Sequence, residues 1–281
     1  MRTFYITEVF AEGEYSGNQL ATVTDVAGLE TKRMQQIARA FNFAETTFLM
    51  GGDLAGGFDV RIFTPTSELP FAGHPTLGTS FLIRNVLLDN PVDELMLKLG
   101  VGPVPVRFEP DGVLWMNQHE PVFGEVLEPG FVAGELGLDI TQIDTRFPCQ
   151  RVSTGLEFLL VPLISYAALK QARSPIGALA GGCLAFCRGG YTADQQVQAR
   201  MFAGGLGVSE DPATGSANGC LAAWLAKHEY LGTGTVDLRV GQGYEIGRPS
   251  QLYLRSRKSP AGYDVQVGGR VNLVARGSWL I

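Results

Sequence analysis

Positive charge, cysteine and histidine are all scarce in this chain, and each shortage closes off a class of function. Lysine and arginine number 22 against 28 acidic residues, for a net charge of −6. A net-acidic surface repels nucleic acid and anionic membranes, so neither is expected as a partner, and an anionic substrate must be held by local donors. The four cysteines, Cys149, Cys183, Cys187 and Cys220, stand in a chain long enough to be stable without cross-links. They read as reduced structural thiols, not as a disulfide framework. Cys183 and Cys187 are separated by Leu-Ala-Phe, a zinc-ligand gap, but no second Cys/His pair of suitable spacing follows, and no metal is expected.

Nucleotide and hydrolase motifs are missing as well. Gly205-Leu206-Gly207 runs on to Glu210, and Gly232-Thr233-Gly234 to Asp237, where a dinucleotide fingerprint requires a third glycine. There is no Walker loop and no G-x-S-x-G, and no cysteine has a plausible catalytic partner nearby in sequence, so a covalent hydrolase has little support. The opening MRTFYITEVFAEGEYSGN alternates apolar and polar residues and reaches Glu8, Glu12 and Glu14 before any long apolar run. It reads as neither signal peptide nor membrane anchor, and the protein is expected in the cytoplasm.

What is present describes a globular, turn-rich chain: 45% hydrophobic and 18% charged residues, with 36 glycines and 15 prolines among 281. The length suits one large domain or two of about 130 residues each, and two are expected. Thr3 to Phe10 reads as a strand, and Met34, Ile37, Ala38 and Phe41 recur at helical spacing, predicting an amphipathic helix over 30–41. The β-branched and aromatic run after Glu45 favours a strand, which puts Glu45 at a helix-to-strand junction. Further strands are predicted near 57–63, 94–99, 101–108, 112–118, 150–161, 182–188, 197–203, 235–240, 250–256 and 263–267, with helices near 132–137 and 165–172. A repeat is also legible. Arg61-Ile62-Phe63 leads to Glu68-Leu69-Pro70-Phe71-Ala72-Gly73-His74 and the apolar helix 77–87; Arg200-Met201-Phe202 leads to Glu210-Asp211-Pro212-Ala213-Thr214-Gly215-Ser216 and the helix 220–226. Internal duplication is the simplest explanation.

The two Gly-rich turns each open a helix, whose first N–H groups and positive dipole end suit a carboxylate; taken singly, either can also be a simple helix start. His74, directly after Gly73, can reach a ligand there as donor or acid/base. His119 and His228 are explained by capping or exposure. Glu45, beside Ala44 in apolar surroundings, would have its pKa raised by burial into a range useful for proton transfer. Asp211 can orient His74 or bind substrate and Ser216 can donate a hydrogen bond, or the two can serve as a helix cap.

Four ordered segments, SGNQLATV at 16–23, AETTFL at 44–49, FTPTSELPFAGHPTLGT at 63–79 and EDPATGSANGCLAAWL at 210–225, resemble the phenazine-biosynthesis PhzF-like family over nearly the whole chain. The resemblance implies an α+β, diaminopimelate epimerase-like fold of two pseudo-repeated domains, each a barrel-like, mostly antiparallel sheet around a central helix. The domains implied are 1–117, completed by a last strand at 270–281, and 118–269, with the active site between them. It also implies a homodimer and an isomerase that needs no cofactor. Carried over, the catalytic residues are Glu45, His74 and Asp211, with Asn18, Gly73, His74, Gly215 and Ser216 binding a small carboxylate substrate. In the family's phenazine-pathway member the glutamate moves a proton between carbons of a dihydro-hydroxyanthranilate. Related racemases use one cysteine on each turn, but here Ala72 and Pro212 or Ala213 stand there and Cys220 lies about two helical turns further on. A two-thiol racemase is therefore not expected. Two alternatives remain: an amino-acid or hydroxy-acid epimerase using Glu45 and His74, and an idle metabolite-binding dimer.

Overall fold

The computed structural model describes the chain except for residues 176, 178, 180, 205–207, 261 and 281 and the side chain of Val208. The Gly205-Leu206-Gly207 segment considered above lies outside the described residues. The chain separates into two units, Met1–Asn117 with Gly268–Ile281, and Gln118–Val267. The second crossing thus falls two residues before the boundary set from the sequence.

The first elements are β1 (Arg2–Val9), β2 (Asn18–Val23), α1 (Thr31–Phe41), β3 (Glu45–Asp53), β4 (Gly57–Phe63), β5 (Glu68–Leu69), α2 (Gly73–Leu82), β6 (Glu94–Leu99), β7 (Gly102–Phe108) and β8 (Leu114–Asn117). They are followed by β9 (Val122–Leu127), α3 (Pro129–Glu135), β10 (Cys149–Ser153), β11 (Glu157–Pro162), α4 (Tyr166–Gln171), β12 (Cys183–Arg188), β13 (Val197–Ala203) and β14 (Val208–Asp211). The chain ends with α5 (Gly215–Lys227), β15 (Thr235–Gln242), β16 (Ser250–Ser259), β17 (Gly262–Gly269) and β18 (Val271–Trp279).

Strand pairing is the same in both units. In the first, β1 lies antiparallel between β18 and β2, β2 runs parallel to β3, and β3 is antiparallel to β4. There β4 takes β5 antiparallel and β6 parallel, and β6 continues antiparallel to β7 and β7 to β8. In the second, β10 lies antiparallel between β9 and β11, β11 runs parallel to β12, and β12 is antiparallel to β13. There β13 takes β14 antiparallel and β15 parallel, and β15 pairs antiparallel with β16. Each parallel step needs a crossover: α1 and α4 supply the first in their units, and α2 and α5 lie in the second.

Each unit is built around one helix. Nine of the ten residues of α2 and twelve of the thirteen of α5 are buried, as expected for helices apolar on every side. Strands β1, β2, β3, β6, β7, β8 and β18 pack against α2, and β10, β11, β15 and β16 against α5. By contrast α1 is amphipathic: Met34, Ile37 and Ala38 meet Val23, Phe48 and Phe63 on the outer side of the sheet.

Three expectations are corrected. The helix expected over 77–87 is α-helical only to Leu82 and finishes as a π-turn over Ile83–Leu87. Asn85 Nδ2 donates to the Phe81 carbonyl at 3.0 Å there, competing with the helix backbone. The strand expected over 150–161 is a hairpin, β10 and β11, because Gly155 at φ +130° turns the chain. The helix expected over 132–137 starts earlier, at Pro129, where the Glu128 carboxylate accepts from Phe131 N at 2.6 Å. All four cysteines are free and buried. Among the described residues no helix is long and apolar enough to cross a membrane, and no group of three or more His, Cys, Asp or Glu side chains could hold a metal ion.

Candidate active site

In the first unit the sequence-nominated residues fall on three neighbouring elements. Glu45 opens β3 with a side chain 17% exposed, and His74 is the second residue of α2, 6% exposed. Their facing atoms, Glu45 Oε2 and His74 Nε2, are 3.5 Å apart. Asn18 opens β2 and is buried. It enters the strand from Gly17 at φ +71°, where a Cβ would lie 2.4 Å from the Val9 carbonyl, so only glycine fits that turn. The sequence reading placed Glu45 in apolar surroundings. That holds for the outer face of β3, where Phe48 lies, but Glu45 shares its own face with Thr47 and meets His74.

His74 is electrically neutral near neutral pH. Burial pushes its pKa down to about 3, only partly opposed by a hydrogen bond to the Gln19 backbone. The ring donates to that carbonyl, and Nε2 has no hydrogen-bond partner among the described residues, so the bond belongs to Nδ1. Nε2 then presents a lone pair to the Glu45 carboxyl. Two acceptors 3.5 Å apart attract only when a proton stands between them. The pair is accordingly no ordinary salt bridge: it accommodates either a protonated Glu45 or a proton brought by a ligand.

The second unit carries Asp211, Gly215 and Ser216. Asp211 ends β14, and its Oδ2 accepts from Thr214 Oγ1 at 2.5 Å. Gln242 Nε2 donates to the Asp211 carbonyl at 2.8 Å, while Asn218 Nδ2 donates to Gln242 Oε1 at 2.9 Å and to the Thr214 carbonyl at 3.0 Å. Asp211 therefore fastens its own turn, a role close to the capping alternative, though the N-cap residue itself is Thr214. Ser216 is the second residue of α5 and buried.

Neither α2 nor α5 has a side-chain cap at its start. The N–H groups of Gly73 and His74, and of Gly215, Ser216 and Ala217, have no partner within their helices and can serve an anion. Pro75 removes a third such donor from α2.

Strand register makes the repeat quantitative. In the first unit Phe63 pairs with Thr46, and in the second Phe202 pairs with Cys183. The position before Thr46 is Glu45; the position before Cys183 is Gly182. The duplicate thus has no side chain, and no acid, where the first unit has its carboxyl.

Sequence reasoning missed a line of buried hydroxyls under Glu45. Thr22 Oγ1 lies 2.8 Å from Thr47 Oγ1, which lies 2.9 Å from Thr79 Oγ1. Each threonine stands inside one of the quoted motifs, so the signal was present, but Thr22 and Thr47, in strands, read first as β-propensity, and Thr79 lies in a helix.

The phenazine biosynthesis-like protein family model (PhzC-PhzF) matches residues 7–277. The chain is similar to trans-2,3-dihydro-3-hydroxyanthranilate isomerase of Pseudomonas aeruginosa, 35% identical over 266 residues, 91% of each chain. A PhzF-family phenazine biosynthesis protein from Bacillus anthracis shares the fold with a TM-score of 0.91 at 24% identity, covering 100% of both chains. A hydroxyproline epimerase from Agrobacterium vitis also shares it, with a TM-score of 0.60 at 11% identity over 98% of this chain and 91% of its own. The fold is the diaminopimelate epimerase-like fold.

Proposed function

Because the chain belongs to the phenazine biosynthesis-like family and is an isomerase of the PhzF type, we propose that it moves one proton along a small unsaturated carboxylate, without a cofactor. Glu45 takes the proton from carbon, the freed electron pair shifts through the adjacent double bond, and Glu45 returns the proton to the far end of the allylic system. Atoms and charge balance with nothing added.

The observation that carries this reading is the solitary carboxyl at the Glu45–His74 contact, with Gly182 at the matching position of the second unit. Inversion at one carbon calls for an acid and a base on opposite faces; relocation of a proton along one face needs a single group that acts twice. Glu45 and His74, the pair the non-thiol epimerase would use, face each other at 3.5 Å with no room for a carbon between them, which favours isomerisation. His74, neutral and fixed by Gln19, holds Glu45's proton or a substrate N–H or O–H at Nε2. Asp211 steers protons through the turn it fastens. Asn18, Gly73, Gly215 and Ser216 bind the substrate, whose carboxylate suits uncapped helix starts. The reading is completed by a homodimer working in the cytoplasm.

The relative named above makes trans-2,3-dihydro-3-hydroxyanthranilate the first substrate to try. Incubated with it in D₂O, the protein should give an allylic isomer carrying at most one deuterium, located by NMR at the new C–H. A product that is the epimer of the starting compound would establish the epimerase; absence of both product and label would favour a different substrate or the idle binding dimer.

A further inference from the structure

We propose that Thr47, at the centre of the Thr22–Thr47–Thr79 hydroxyl chain, is a positioning residue that sets Glu45 against His74; this rests on the reading of Glu45 as the acid/base. The three threonines come from β2, β3 and α2, the elements that carry Asn18, Glu45 and His74. Thr22 and Thr47 are direct partners in the parallel pairing of β2 with β3, and Thr47 reaches across to the central helix at Thr79. In a strand, side chains alternate, so Thr47 shares a face with Glu45, and Thr22 with Asn18. All three side chains are fully buried.

Packing does not require these hydroxyls. Through the register of β4 with β3 and β13 with β12, Thr47 corresponds to Leu184; through the parallel pairs, Thr22 corresponds to Leu160. Counting from Gly73 and Gly215, Thr79 corresponds to Leu221. The second unit therefore fills all three places with leucine, each fully buried, and folds with the same strand order. Leucine contacts are non-directional, whereas a chain of hydrogen bonds about 2.8–2.9 Å long fixes how far one element slides along the next. The directional version stands under the acid and is absent from the unit that lacks one. A buried hydroxyl left unpaired is costly, so removing the central member disturbs both of its neighbours.

The test compares Thr47→Val, which keeps the shape and loses the hydroxyl, with Thr47→Ser, which keeps the hydroxyl. With trans-2,3-dihydro-3-hydroxyanthranilate, Thr47→Val should lower kcat about tenfold while KM stays within about twofold, because a misplaced reacting group costs rate before binding. Thr47→Ser should recover most of the loss. The ¹⁵N resonances of the His74 ring should shift in Thr47→Val and return in Thr47→Ser. Wild-type kcat in Thr47→Val, or an equal loss in both variants, overturns the proposal. If the wild type does not turn over that compound, the substrate reading has failed and the His74 resonances decide alone: unshifted in Thr47→Val, they overturn the positioning role. Should Thr47→Val not fold, Thr79→Val, which loses one bond instead of two, takes its place with the same outcomes.

Discussion

Both units carry an arginine two residues before a phenylalanine, and in both the guanidinium reaches a glutamate on the next short strand and lies over that phenylalanine. Arg61 meets Glu68 at 2.7 and 2.6 Å and Phe63 at 5.1 Å; Arg200 meets Glu210 at 3.0 and 2.7 Å and Phe202 at 4.8 Å. The resemblance ends with their surroundings. The first pair is 29% and 40% exposed and also reaches Thr31 and the Met34 sulfur, while the second is 11% and 8% exposed and donates to the carbonyls of Leu169, Lys170 and Ala172 at the end of α4. The second unit has buried its ion pair and lined its centre with leucine. The first has left its ion pair near water and gathers the partly buried Glu45, the buried His74 and three buried threonines on β2, β3 and α2. From a common plan, the two copies have diverged most at the position where the first carries Glu45, the proposed acid/base, and the second carries Gly182.

The largest consequence concerns stability. Arg200→Met strands a buried carboxylate and several carbonyls and should cost about 3 kcal/mol or more, whereas Arg61→Met should cost about 1 kcal/mol or less. Urea midpoints of the two variants measure the difference; equal costs would break the contrast. Next is activity. His74→Asn should lower kcat/KM for trans-2,3-dihydro-3-hydroxyanthranilate about a hundredfold and Ser216→Ala about tenfold, since in the proposed mechanism one touches the proton and the other binds. A larger loss for Ser216→Ala would move the chemistry to the second unit.

The remaining contrast is in the pH dependence of folding. His74 has a folded pKa of about 3 against an ordinary 6.5, and His228, in the second unit, about 4, in both cases chiefly through burial. Between each folded value and 6.5 the unfolded chain binds more protons, so stability falls as pH drops through that window and is unaffected above it. His74→Asn should flatten the fall between pH 6.5 and 3 more than His228→Asn does, as read from melting temperature against pH. The opposite ranking would mean that His74 is less shielded than its burial indicates.

Much of this was legible beforehand because it rests on local rules. The spacing of Met34, Ile37 and Ala38 fixed α1, and the Gly-rich turns announced two buried helices. The Arg…Glu repeat pointed to duplication, and the β-branched run after Glu45 set it at the mouth of a strand. Other features depend on tertiary partners that no periodicity encodes. The Gln242 amide that holds the Asp211 carbonyl, the Gln19 carbonyl that selects the His74 tautomer, and the hydroxyl chain each require knowing which strand lies beside which. The π-turn after Leu82 came from one side chain, Asn85, competing for a carbonyl. β2 went unread because only its last four residues are apolar or β-branched and no turn pair marks a hairpin.

The central claim is that one carboxyl in the first unit both removes and returns the proton. Glu45→Gln preserves size and hydrogen bonding but cannot take a proton, so the direct measurement is turnover of trans-2,3-dihydro-3-hydroxyanthranilate in D₂O by wild type and by this variant, with melting temperatures confirming that both are folded. The account predicts that the folded variant loses conversion and deuterium uptake together, by about a thousandfold or more. A folded Glu45→Gln that still converts the compound within a few-fold of the wild-type rate would contradict it.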